Sequence, residues 1–479
     1  MYDVAIIGAG ITGCSIAYEL GKYNVKAIVI EKENDVAVGT TKANSAIVHG
    51  GYDPEVGTDM AKYNVKGNAY IKELCGKLDV AYKQIGALVC AFSEAEIAHV
   101  EELKARGEAN GVPGLEIWDQ AKVREAEPNI SDEVVAALYS PTTGIVSPWE
   151  LALALAETAA TNGVEFKFNA PCTNITKEGD VYTIETPAGN VEAKYVCNAA
   201  GVYADVVNNY VCEESFKILP NKGEYYLLDK SQGTLVNHVI FQCPNEKGKG
   251  VLVSPTVHGN LIVGPDSQPS AADDISTTME GLNFVRTTAL KSVPSINYRE
   301  SIRNFAGVRA RTAVHDFFIF EDKEQKGFFN ISGMASPGLT SAPAIAVDLV
   351  KMIEASGLEL VAKENICDTR KVNRFKHMTN EERAEIVKAN PLYGKIICRC
   401  ETVTEGEIVD ALHRPITPTS IDGIKRRCNA GMGRCQGGFC GPRVQEIIAR
   451  ELGIALADVP QDRVGTKIIT GETKEGGAN

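Results

Sequence analysis

The sequence lacks the features of a membrane-spanning, secreted or nucleic-acid-binding protein. No stretch of its 479 residues approaches about 18 uninterrupted apolar residues, so we expect no membrane-spanning helix. The first residues, MYDVAIIGAG, lack the basic region of a signal peptide. Positive charge is not in excess, because the formal net charge is −13. This balance disfavours a polyanionic partner such as nucleic acid or an acidic membrane surface.

The sequence also lacks the even cysteine distribution of a disulfide-rich protein. Of its 13 cysteines, eight are scattered singly between residues 14 and 367, and five are crowded between 398 and 440. A long chain with clustered cysteines and no export signal is typical of a reducing compartment and a metal site. We therefore expect a cytoplasmic protein. No internal repeat or low-complexity tract is present.

The order of apolar segments predicts an α/β protein. The apolar run at 3–7, the helix-period segment that ends at Leu20 and the apolar run at 25–30 together form a predicted βαβ unit. Residues 86–144 are helix-rich, the doubly wound pattern returns at 145–201, and strand signals dominate 220–314. Residues 328–354 then predict a strand, a glycine turn and a helix, and the terminal residues 470–479 are expected to be disordered.

A nucleotide-binding turn is predicted directly after the first strand. Gly8, Gly10 and Gly13 have the GxGxxG spacing, with an apolar strand before them, a helix after them and Glu31 at the end of the second strand. Gly8 permits the tight turn, Gly10 the approach of a pyrophosphate, and Gly13 close helix–strand packing. The Glu31 carboxylate suits ribose hydroxyls and would repel a 2′-phosphate, which disfavours NADP. The alternative is a glycine-rich turn that binds nothing.

The same fingerprint serves NAD and FAD, and a second turn favours FAD. The segment SGMASPGLTS at 332–341 opens a helix near residue 340. A helix N-terminus stabilises the negative charge that develops at the N1–C2=O edge of a reduced isoalloxazine, whereas nicotinamide has no such need.

Six segments resemble the D-amino-acid-oxidase-type flavoproteins. The resemblance is strongest to the branch that contains the flavin-binding chain of anaerobic glycerol-3-phosphate dehydrogenase and L-2-hydroxyglutarate dehydrogenase. The segments follow the family's order and are GTTKANS (39–45), VHGGY (48–52), TGIV (143–146), NAAG (198–201), FAGVR (305–309) and SGMASPGLTS (332–341).

The resemblance implies a Rossmann-like FAD-binding domain with an inserted α+β substrate domain whose sheet covers the isoalloxazine. We expect this oxidoreductase unit at 1–365, with FAD-binding parts at about 1–85, 145–219 and 315–365 and substrate-domain parts at about 86–144 and 220–314. A linker at 366–395, a small α-helical domain at 396–455 and a tail at 456–479 follow. The expected cofactor-binding residues are Gly8, Gly10, Ile11, Thr12, Gly13, Glu31, Lys32, Thr40, Thr41, Asn44, Ser45, Ala200, Gly201, Gly333, Gly338, Leu339 and Thr340.

Arg309 is the first candidate for substrate binding. In the family that the sequence resembles, the arginine of the A-G-x-R strand lies above the flavin and holds an acidic group of the substrate. A guanidinium suits a carboxylate or phosphate because it donates planar, bidentate hydrogen bonds. By strand alternation Arg311 shares its face and adds positive potential. Without the resemblance, Arg309 would also fit an ordinary surface arginine.

Three further residues are candidates for the catalytic site. The resemblance places His49 beside the flavin, where it would act as the general base for a substrate hydroxyl, or only orient the flavin. Lys222 and Tyr225 match a strand that usually faces the substrate, although both also fit plain sheet surface. One departure concerns Asp53, which stands where glycerol-3-phosphate enzymes carry a phosphate-binding arginine. That acid disfavours glycerol 3-phosphate and brings the segment closer to the L-2-hydroxyglutarate branch.

The cysteine cluster fits zinc poorly. Zinc ribbons use Cys-x2-Cys turns, whereas this chain has Cys-x-Cys at 398–400 and Cys-x4-Cys at 435–440. The phrases ICRCETVTEGEI and GMGRCQGGFCGPRV resemble the bacterioferritin-associated-ferredoxin-like [2Fe–2S] domain. The resemblance assigns Cys398, Cys400, Cys435 and Cys440 as ligands and leaves Cys428 out. Zinc, or no metal, remain the alternatives from the residues alone.

The predicted function is that of an FAD and [2Fe–2S] dehydrogenase for a small anionic hydroxy compound, either glycerol 3-phosphate or a 2-hydroxy acid such as L-2-hydroxyglutarate. A hydride delivers two electrons and an iron–sulfur centre takes one at a time, which favours a protein acceptor over O₂. The resemblance implies that this acceptor is a second flavoprotein or an iron–sulfur subunit. The alternatives are an amino-acid or amine dehydrogenase of the same family, and a non-catalytic electron-transfer or redox-sensing subunit.

Overall fold

A computed structural model describes residues 1–244, 250–471 and 474 of the chain. The elements of the first part are β1 (Tyr2–Ile7), α1 (Ile11–Leu20), β2 (Ala27–Ile30), β3 (Ile47–Val48), α2 (Asp59–Lys77), β4 (Tyr82–Gln84), β5 (Ala87–Ala91), α3 (Glu94–Ala109), β6 (Glu116–Asp119), α4 (Gln120–Ala126), β7 (Ala136–Ser140), β8 (Gly144–Val146), α5 (Pro148–Thr161), β9 (Glu165–Lys167), β10 (Asn174–Glu178), β11 (Val181–Glu185), β12 (Val191–Asn198) and α6 (Ala204–Asn208).

The remaining elements complete a second sheet and a small C-terminal unit. They are β13 (Leu219–Leu228), β14 (Val239–Gln242), β15 (Leu252–Pro255), β16 (Leu261–Gly264), β17 (Gln268–Pro269), α7 (Met279–Ser292), β18 (Ser301–Arg311), β19 (Phe318–Glu321), β20 (Phe328–Ser332), α8 (Gly338–Ala355), α9 (Asn380–Ala389), β21 (Ile396–Cys398), β22 (Val403–Thr404), α10 (Glu405–Leu412), α11 (Ile421–Cys428) and α12 (Gly441–Leu452).

The first sheet has a parallel centre in the order β20-β12-β1-β2-β9. Its inner strands are short runs of Val, Ile and Ala, which suits strands covered on both faces. Helices α1, α5 and α8 pack their apolar residues against this sheet in one large core, and α1 is buried along its whole length. The ends of β1 and β2 that carry Gly8 and Glu31 therefore lie at one edge of the parallel sheet.

The second sheet covers that edge. Its order is β17-β13-β16-β15-β14-β5-β7-β6, and β18 pairs with β13. The β13 and β18 strands are the longest pair of this sheet, and their register sets Arg309 opposite Asn221 and Phe305 opposite Tyr225. Gly307 lets β18 lie against the loop that follows β2, because a Cβ there would stand 1.8 Å from the Ala43 carbonyl oxygen. The two sheets thus enclose a space between the glycine turn and β18.

The segment between α8 and β21 is irregular but packed. Arg370 donates to the Glu157 carboxylate at 2.6 Å, and Arg374 lies 2.9 Å from the Asp79 carboxylate. The terminal unit has its own apolar core, formed by residues of α10, α11 and α12. Part of the predicted tail is also ordered, since Pro460 pairs with Lys467, whereas most of the predicted disordered stretch 470–479 lies outside the described residues.

Among the helices that the structure describes, none combines the length and the apolar composition needed to cross a bilayer.

Candidate functional site

The glycine turn is built for close approach of a ligand to backbone. Gly8 has φ +103°, and a Cβ at this position would lie 2.6 Å from the Ala199 carbonyl oxygen. A Cβ at Gly13 would lie 1.9 Å from the Gly8 carbonyl oxygen, so only glycine lets α1 pack against β1. The Ile11 N–H donates to Thr41 Oγ1 at 3.0 Å, which ties the start of α1 to the segment 39–45. The N-terminus of α1 therefore faces the cavity, as a phosphate site requires.

Glu31 holds this turn together. Its Oε2 accepts from the Ala9 N–H at 2.6 Å and its Oε1 accepts from the Glu33 N–H at 2.9 Å. Burial raises the pKa of the carboxyl, and the two N–H donors act in the opposite direction. Each oxygen retains acceptor capacity for a ribose hydroxyl, because a carboxylate oxygen can accept more than one hydrogen bond.

One elongated cavity of about 1350 Å³ runs from the glycine turn to β18. Its size and mixed apolar and polar lining fit a dinucleotide such as FAD. Seventeen of the residues predicted to bind the cofactor or to act in catalysis line this cavity, although many of them are far apart in the sequence. They are Gly8, Gly10, Ile11, Thr12, Glu31, Lys32, Thr40, Thr41, Asn44, Ser45, His49, Ala200, Gly201, Tyr225, Arg309, Gly338 and Leu339.

Helix α8 closes the far end of the cofactor site. Gly338 and Leu339 in its first turn line the cavity, so its N-terminal N–H groups point to the same space as those of α1. Thr340 lies one residue deeper, where its Oγ1 accepts from the His49 N–H at 3.0 Å. The second helix N-terminus that the sequence indicates is therefore present beside the expected isoalloxazine position.

Arg309 lies at the β18 end of the cavity and is firmly held. Its Nη2 donates to the carbonyl oxygens of Lys222 and Asp266 at 3.0 and 2.9 Å, and its Nε donates to the Asn221 carbonyl oxygen at 3.3 Å. Among the described residues, the two N–H groups on Nη1 have no partner. Arg311 lines the same cavity, as strand alternation predicts, and burial lowers the pKa of both guanidinium groups. The pair forms a cationic end to the cavity.

Tyr225 and His49 flank that end. The Tyr225 ring stacks on Phe305 with centroids 4.8 Å apart, and its hydroxyl lies 3.2 Å from Ser45 Oγ. Burial raises the pKa of the Tyr225 phenol, which keeps it neutral and able to donate. His49 Nε2 lies 3.1 Å from Ser336 Oγ, and its backbone oxygen accepts from Asn64 at 2.7 Å. The imidazole is therefore fixed at the cavity wall.

Lys222 does not line the cavity, and the expectation that it faces the substrate is not supported. Its ammonium lies 2.8 Å from the Asp274 carboxylate and 3.8 Å from the Glu224 carboxylate. Lys222 and Glu224 occupy one face of β13, whereas Asn221 and Tyr225 occupy the cavity face. The Lys222 carbonyl, not its side chain, contributes by holding Arg309.

Three glycine or threonine positions also lie outside the cavity wall. Gly13 lets α1 pack against β1, and Thr340 accepts a hydrogen bond from the His49 N–H. Gly333 has φ +71° and shapes the turn between β20 and α8. These residues position the cofactor site without lining the cavity.

Asp53, which stands where the resemblance places a phosphate-binding arginine, lies beside the main cavity and not in its wall. It borders a small pocket that shares His49, Phe241 and Gln242 with the main cavity, and it is not among the residues of the main cavity wall, whose β18 end carries Arg309 and Arg311. Its backbone oxygen accepts from Arg106 at 3.0 Å. An anion at the β18 end of the cavity therefore meets two guanidinium groups, and Asp53 is not part of that wall.

The four predicted cluster ligands come together in two pairs. Cys398 ends β21 and lies beside Cys440 at the start of α12, and both are buried. Cys400 Sγ lies 3.7 Å from Cys435 Sγ, nearer the surface. The Cys440 thiol and the N–H groups of Gly431 and Glu401 stabilise the Cys398 thiolate and lower its pKa.

This arrangement suits a two-iron cluster. Each iron of a [2Fe–2S] cluster takes two thiolates, which two cysteine pairs can supply. Gly433 makes room for the site, since a Cβ there would lie 2.2 Å from Cys400 Cβ. Cys428 belongs to neither cysteine pair, and its thiol donates a hydrogen bond to the Ile424 carbonyl oxygen at 3.3 Å.

The basic residues near the cluster have a different role from the expected one. Sequence proximity suggests that Lys425, Arg426, Arg427 and Arg434 offset the charge of the cluster. Arg426 and Arg427 instead bind the buried Asp35 carboxylate, which follows β2 of the first sheet, at 3.0 and 2.8 Å. Arg434 lies 2.8 Å from Glu300, next to β18 of the second sheet. These arginines fasten the terminal unit to the rest of the chain.

One residue of the cavity wall had no sequence signal at all. Arg463 lies far outside the six segments quoted above, and only the tertiary structure brings it to the cavity beside Lys42 and Glu33.

Comparisons with known proteins agree with this geometry. The family model for FAD dependent oxidoreductases (DAO) matches residues 3–352, and the model for BFD-like [2Fe-2S] binding domains matches 396–450. The chain is 50% identical over 476 residues to a glycerol 3-phosphate dehydrogenase of Caloramator mitchellensis, covering 99% of each chain. It is 28% identical to an L-2-hydroxyglutarate dehydrogenase of Salmonella houtenae, over 74% of this chain and 94% of the other.

A solved structure shows the same fold with its cofactor. The FAD-bound L-alpha-glycerophosphate oxidase of Mycoplasma pneumoniae superposes with a TM-score of 0.74 at 31% identity, covering 78% of this chain and 99% of that one. The predictions of FAD and of a [2Fe–2S] cluster are thereby confirmed, and the non-catalytic alternative is wrong. The chain belongs to the DAO family of FAD-dependent oxidoreductases and carries a BFD-like [2Fe–2S] domain after its catalytic domain.

Proposed function

We propose that the protein oxidises glycerol 3-phosphate and passes the electrons through its [2Fe–2S] domain to a protein acceptor. The assignment of the substrate rests on Arg309 and Arg311, which lie at one end of the cofactor cavity. Two guanidinium groups suit a phosphate dianion, which has more charge and more acceptor oxygens than a single carboxylate. The name of the 50% identical Caloramator mitchellensis relative, glycerol 3-phosphate dehydrogenase, supports the same substrate.

The residues of the chain have distinct tasks in this reaction. When bound, FAD takes up the two electrons and the hydrogen of the substrate C–H bond, and the [2Fe–2S] cluster handles electrons singly. Arg309 and Arg311 bind the phosphate and so fix the carbon chain relative to the flavin. His49 accepts the hydroxyl proton at Nε2, where the substrate hydroxyl takes the place of Ser336 Oγ, which lies 3.1 Å from that atom. Tyr225 donates a hydrogen bond to a substrate oxygen.

The cluster domain favours an acceptor other than O₂. We propose a second flavoprotein or an iron–sulfur subunit in this role, because a one-electron centre exposed on one side suits transfer to another protein. Cys400 is exposed and Cys398 is buried, so one cysteine pair faces solvent and the other faces the protein.

Anaerobic reduction of the flavin with a panel of substrates tests this proposal. Glycerol 3-phosphate, L-2-hydroxyglutarate, lactate and amino acids are mixed with the enzyme, and the flavin and cluster absorption bands are followed separately. We expect glycerol 3-phosphate to bleach both bands, with the flavin first. Bleaching by L-2-hydroxyglutarate or by an amino acid alone would replace the proposed substrate.

The Arg309→Ala variant tests whether Arg309 binds the anionic group of the substrate. Removing a guanidinium that donates to an anionic substrate costs about 2 to 4 kcal/mol of transition-state binding, or about 30- to 1000-fold in kcat/KM. Arg303→Ala is the matched control, because Arg303 lies on the same strand but is exposed and outside the cavity. Equal losses in the two variants, or no loss at Arg309, would contradict the assignment.

A further inference from the structure

The C-terminal segment 460–467, which we call the strap, connects the two domains. At one end it is bound to the start of α11, where the N–H groups of Ile421 and Asp422 donate to the carbonyl oxygens of Pro460 and Gln461 at 3.2 and 2.8 Å. Gln461 Nε2 also donates to the Asp422 carboxylate at 3.0 Å. The strap is therefore fixed to the [2Fe–2S] domain.

The middle of the strap is bound to the FAD domain through Asp462. Its carbonyl oxygen accepts from Asn34 Nδ2 at 2.8 Å. Its carboxylate lies 2.5 Å from Lys42 Nζ and 2.8 Å from Arg426 Nη1, so it joins a lysine of the cofactor-site loop to an arginine of α11. Burial alone would raise the pKa of this carboxyl, but Arg426 and Lys42 outweigh it and lower the pKa to about 2. This placement leaves the next residue, Arg463, at the cofactor cavity.

Arg463 lines the cavity beside Lys42 and Glu33. Thr41, the neighbour of Lys42, accepts from the Ile11 N–H at 3.0 Å, which links this part of the wall to the glycine turn. Its closest carboxylate is that of Glu33, and the 3.9 Å between Arg463 Nη1 and Glu33 Oε1 is too long for a hydrogen bond. No hydrogen bond from its guanidinium is found within residues 1–244 and 250–471. The side chain is 37% exposed, with the cavity on one side.

We propose that Arg463 binds the pyrophosphate of FAD, so that the strap completes the cofactor site. A pyrophosphate lies at the glycine turn in this fold, and it carries the charge and the oxygens that a guanidinium prefers. Residue 463 lies outside both matched family models, which end at 352 and 450. The FAD site therefore draws one ligand from the far end of the chain.

This assignment makes FAD binding and docking of the [2Fe–2S] domain interdependent. Asp462 and Arg463 are adjacent, and Asp462 is held by residues of both domains. A contact that exists only in the docked form strengthens FAD binding in that form, and by linkage FAD strengthens docking by the same factor. The cofactor and the cluster domain then stabilise each other.

The affinity of the FAD-depleted, full-length protein for FAD and for ADP tests the proposal, measured by flavin fluorescence and by calorimetry. ADP carries the same pyrophosphate without the isoalloxazine. We expect Arg463→Ala to weaken both ligands about tenfold, which corresponds to about 1.4 kcal/mol. Arg463→Lys keeps the charge but loses the planar fork, and its affinities are expected to fall between those of the wild type and Arg463→Ala.

Lys467→Ala is the matched control, because Lys467 is a cation of the same strap that pairs with Asp458 away from the cavity. Its dissociation constants should equal those of the wild type. The absorption of the cluster, recorded for each variant, reports whether the domain is folded. Unchanged FAD and ADP binding in Arg463→Ala with an intact cluster, or an equal loss in Lys467→Ala, would overturn the proposal. If Arg463→Ala lost its cluster, the comparison of Arg463→Lys with Lys467→Ala would decide in the same way.

Discussion

Substituting Asp35 by Asn should loosen the attachment of the [2Fe–2S] domain. Asp35 is 1% exposed and accepts from both arginines of α11: Arg427 Nη1 and Nη2 at 2.8 Å each, and Arg426 Nη2 at 3.0 Å. The Arg427 side chain is fully buried at this interface. Removing one partner of a buried ion pair leaves the other charge uncompensated and costs about 3 to 5 kcal/mol. Arg426 keeps Asp462 as a partner, so we expect the lower end of this range.

Urea unfolding, followed separately by flavin fluorescence and by cluster absorption, measures this loss. Two probes are needed because two domains need not unfold in one step. Glu73→Gln serves as the control, since Glu73 forms an exposed pair with Lys77 at 2.9 Å that should contribute less than about 1 kcal/mol. A loss below about 1 kcal/mol in Asp35→Asn would refute the view that this network fastens the domain.

The pH dependence provides a second check on Asp35. Burial by itself would raise its pKa, but Arg427 and Arg426 outweigh burial and hold the pKa below the usual range. Because the folded pKa is depressed, the stabilisation is present above the unfolded pKa of about 4 and is lost as the pH falls through the folded pKa. The stability difference between wild type and Asp35→Asn should therefore be constant near neutral pH and shrink below about pH 4.

Two further predictions concern the two cofactor sites. Gly307→Ala should lose most of its FAD, because the added Cβ would lie 1.8 Å from the Ala43 backbone oxygen and neither backbone can yield. The control variant Gly76→Ala, with nothing within 4 Å of its Cβ, should bind FAD normally. Fluorimetric FAD titration distinguishes the two, and full FAD affinity in Gly307→Ala would contradict the close contact. Cys400→Ala should abolish the [2Fe–2S] absorption, whereas Cys428→Ala should retain it, since the Cys428 thiol bonds to the Ile424 carbonyl oxygen of its own helix. Iron content checks both, and loss of iron in Cys428→Ala would show that the ligand set is wrong.

The structure differs from the sequence-based predictions where the direction of a side chain or its spatial neighbours had to be inferred. Lys222 and Tyr225 are three residues apart on one strand, so they point to opposite faces and could not both meet the substrate. Alternation could have revealed this from the sequence. Asp53 follows His49 closely in the chain, but it borders a different pocket. Arg426 and Arg427 are near the cysteines in sequence, yet their charges are matched by Asp35 of another domain.

The sequence by itself determined the fold class, and its resemblance to known families indicated the flavin and the [2Fe–2S] cluster. It could do so because each rests on a local pattern: a glycine turn needs fixed spacing, a parallel strand needs an apolar run, and a cluster needs closely spaced thiolates. Only the tertiary structure decided which cations meet which anions. Asp35 binds Arg427, which lies 392 positions later in the sequence. Arg463 lines the cofactor cavity although it lies outside the segments that the two family models match. Such contacts depend on how two domains dock, and no periodicity or spacing within either segment records that geometry.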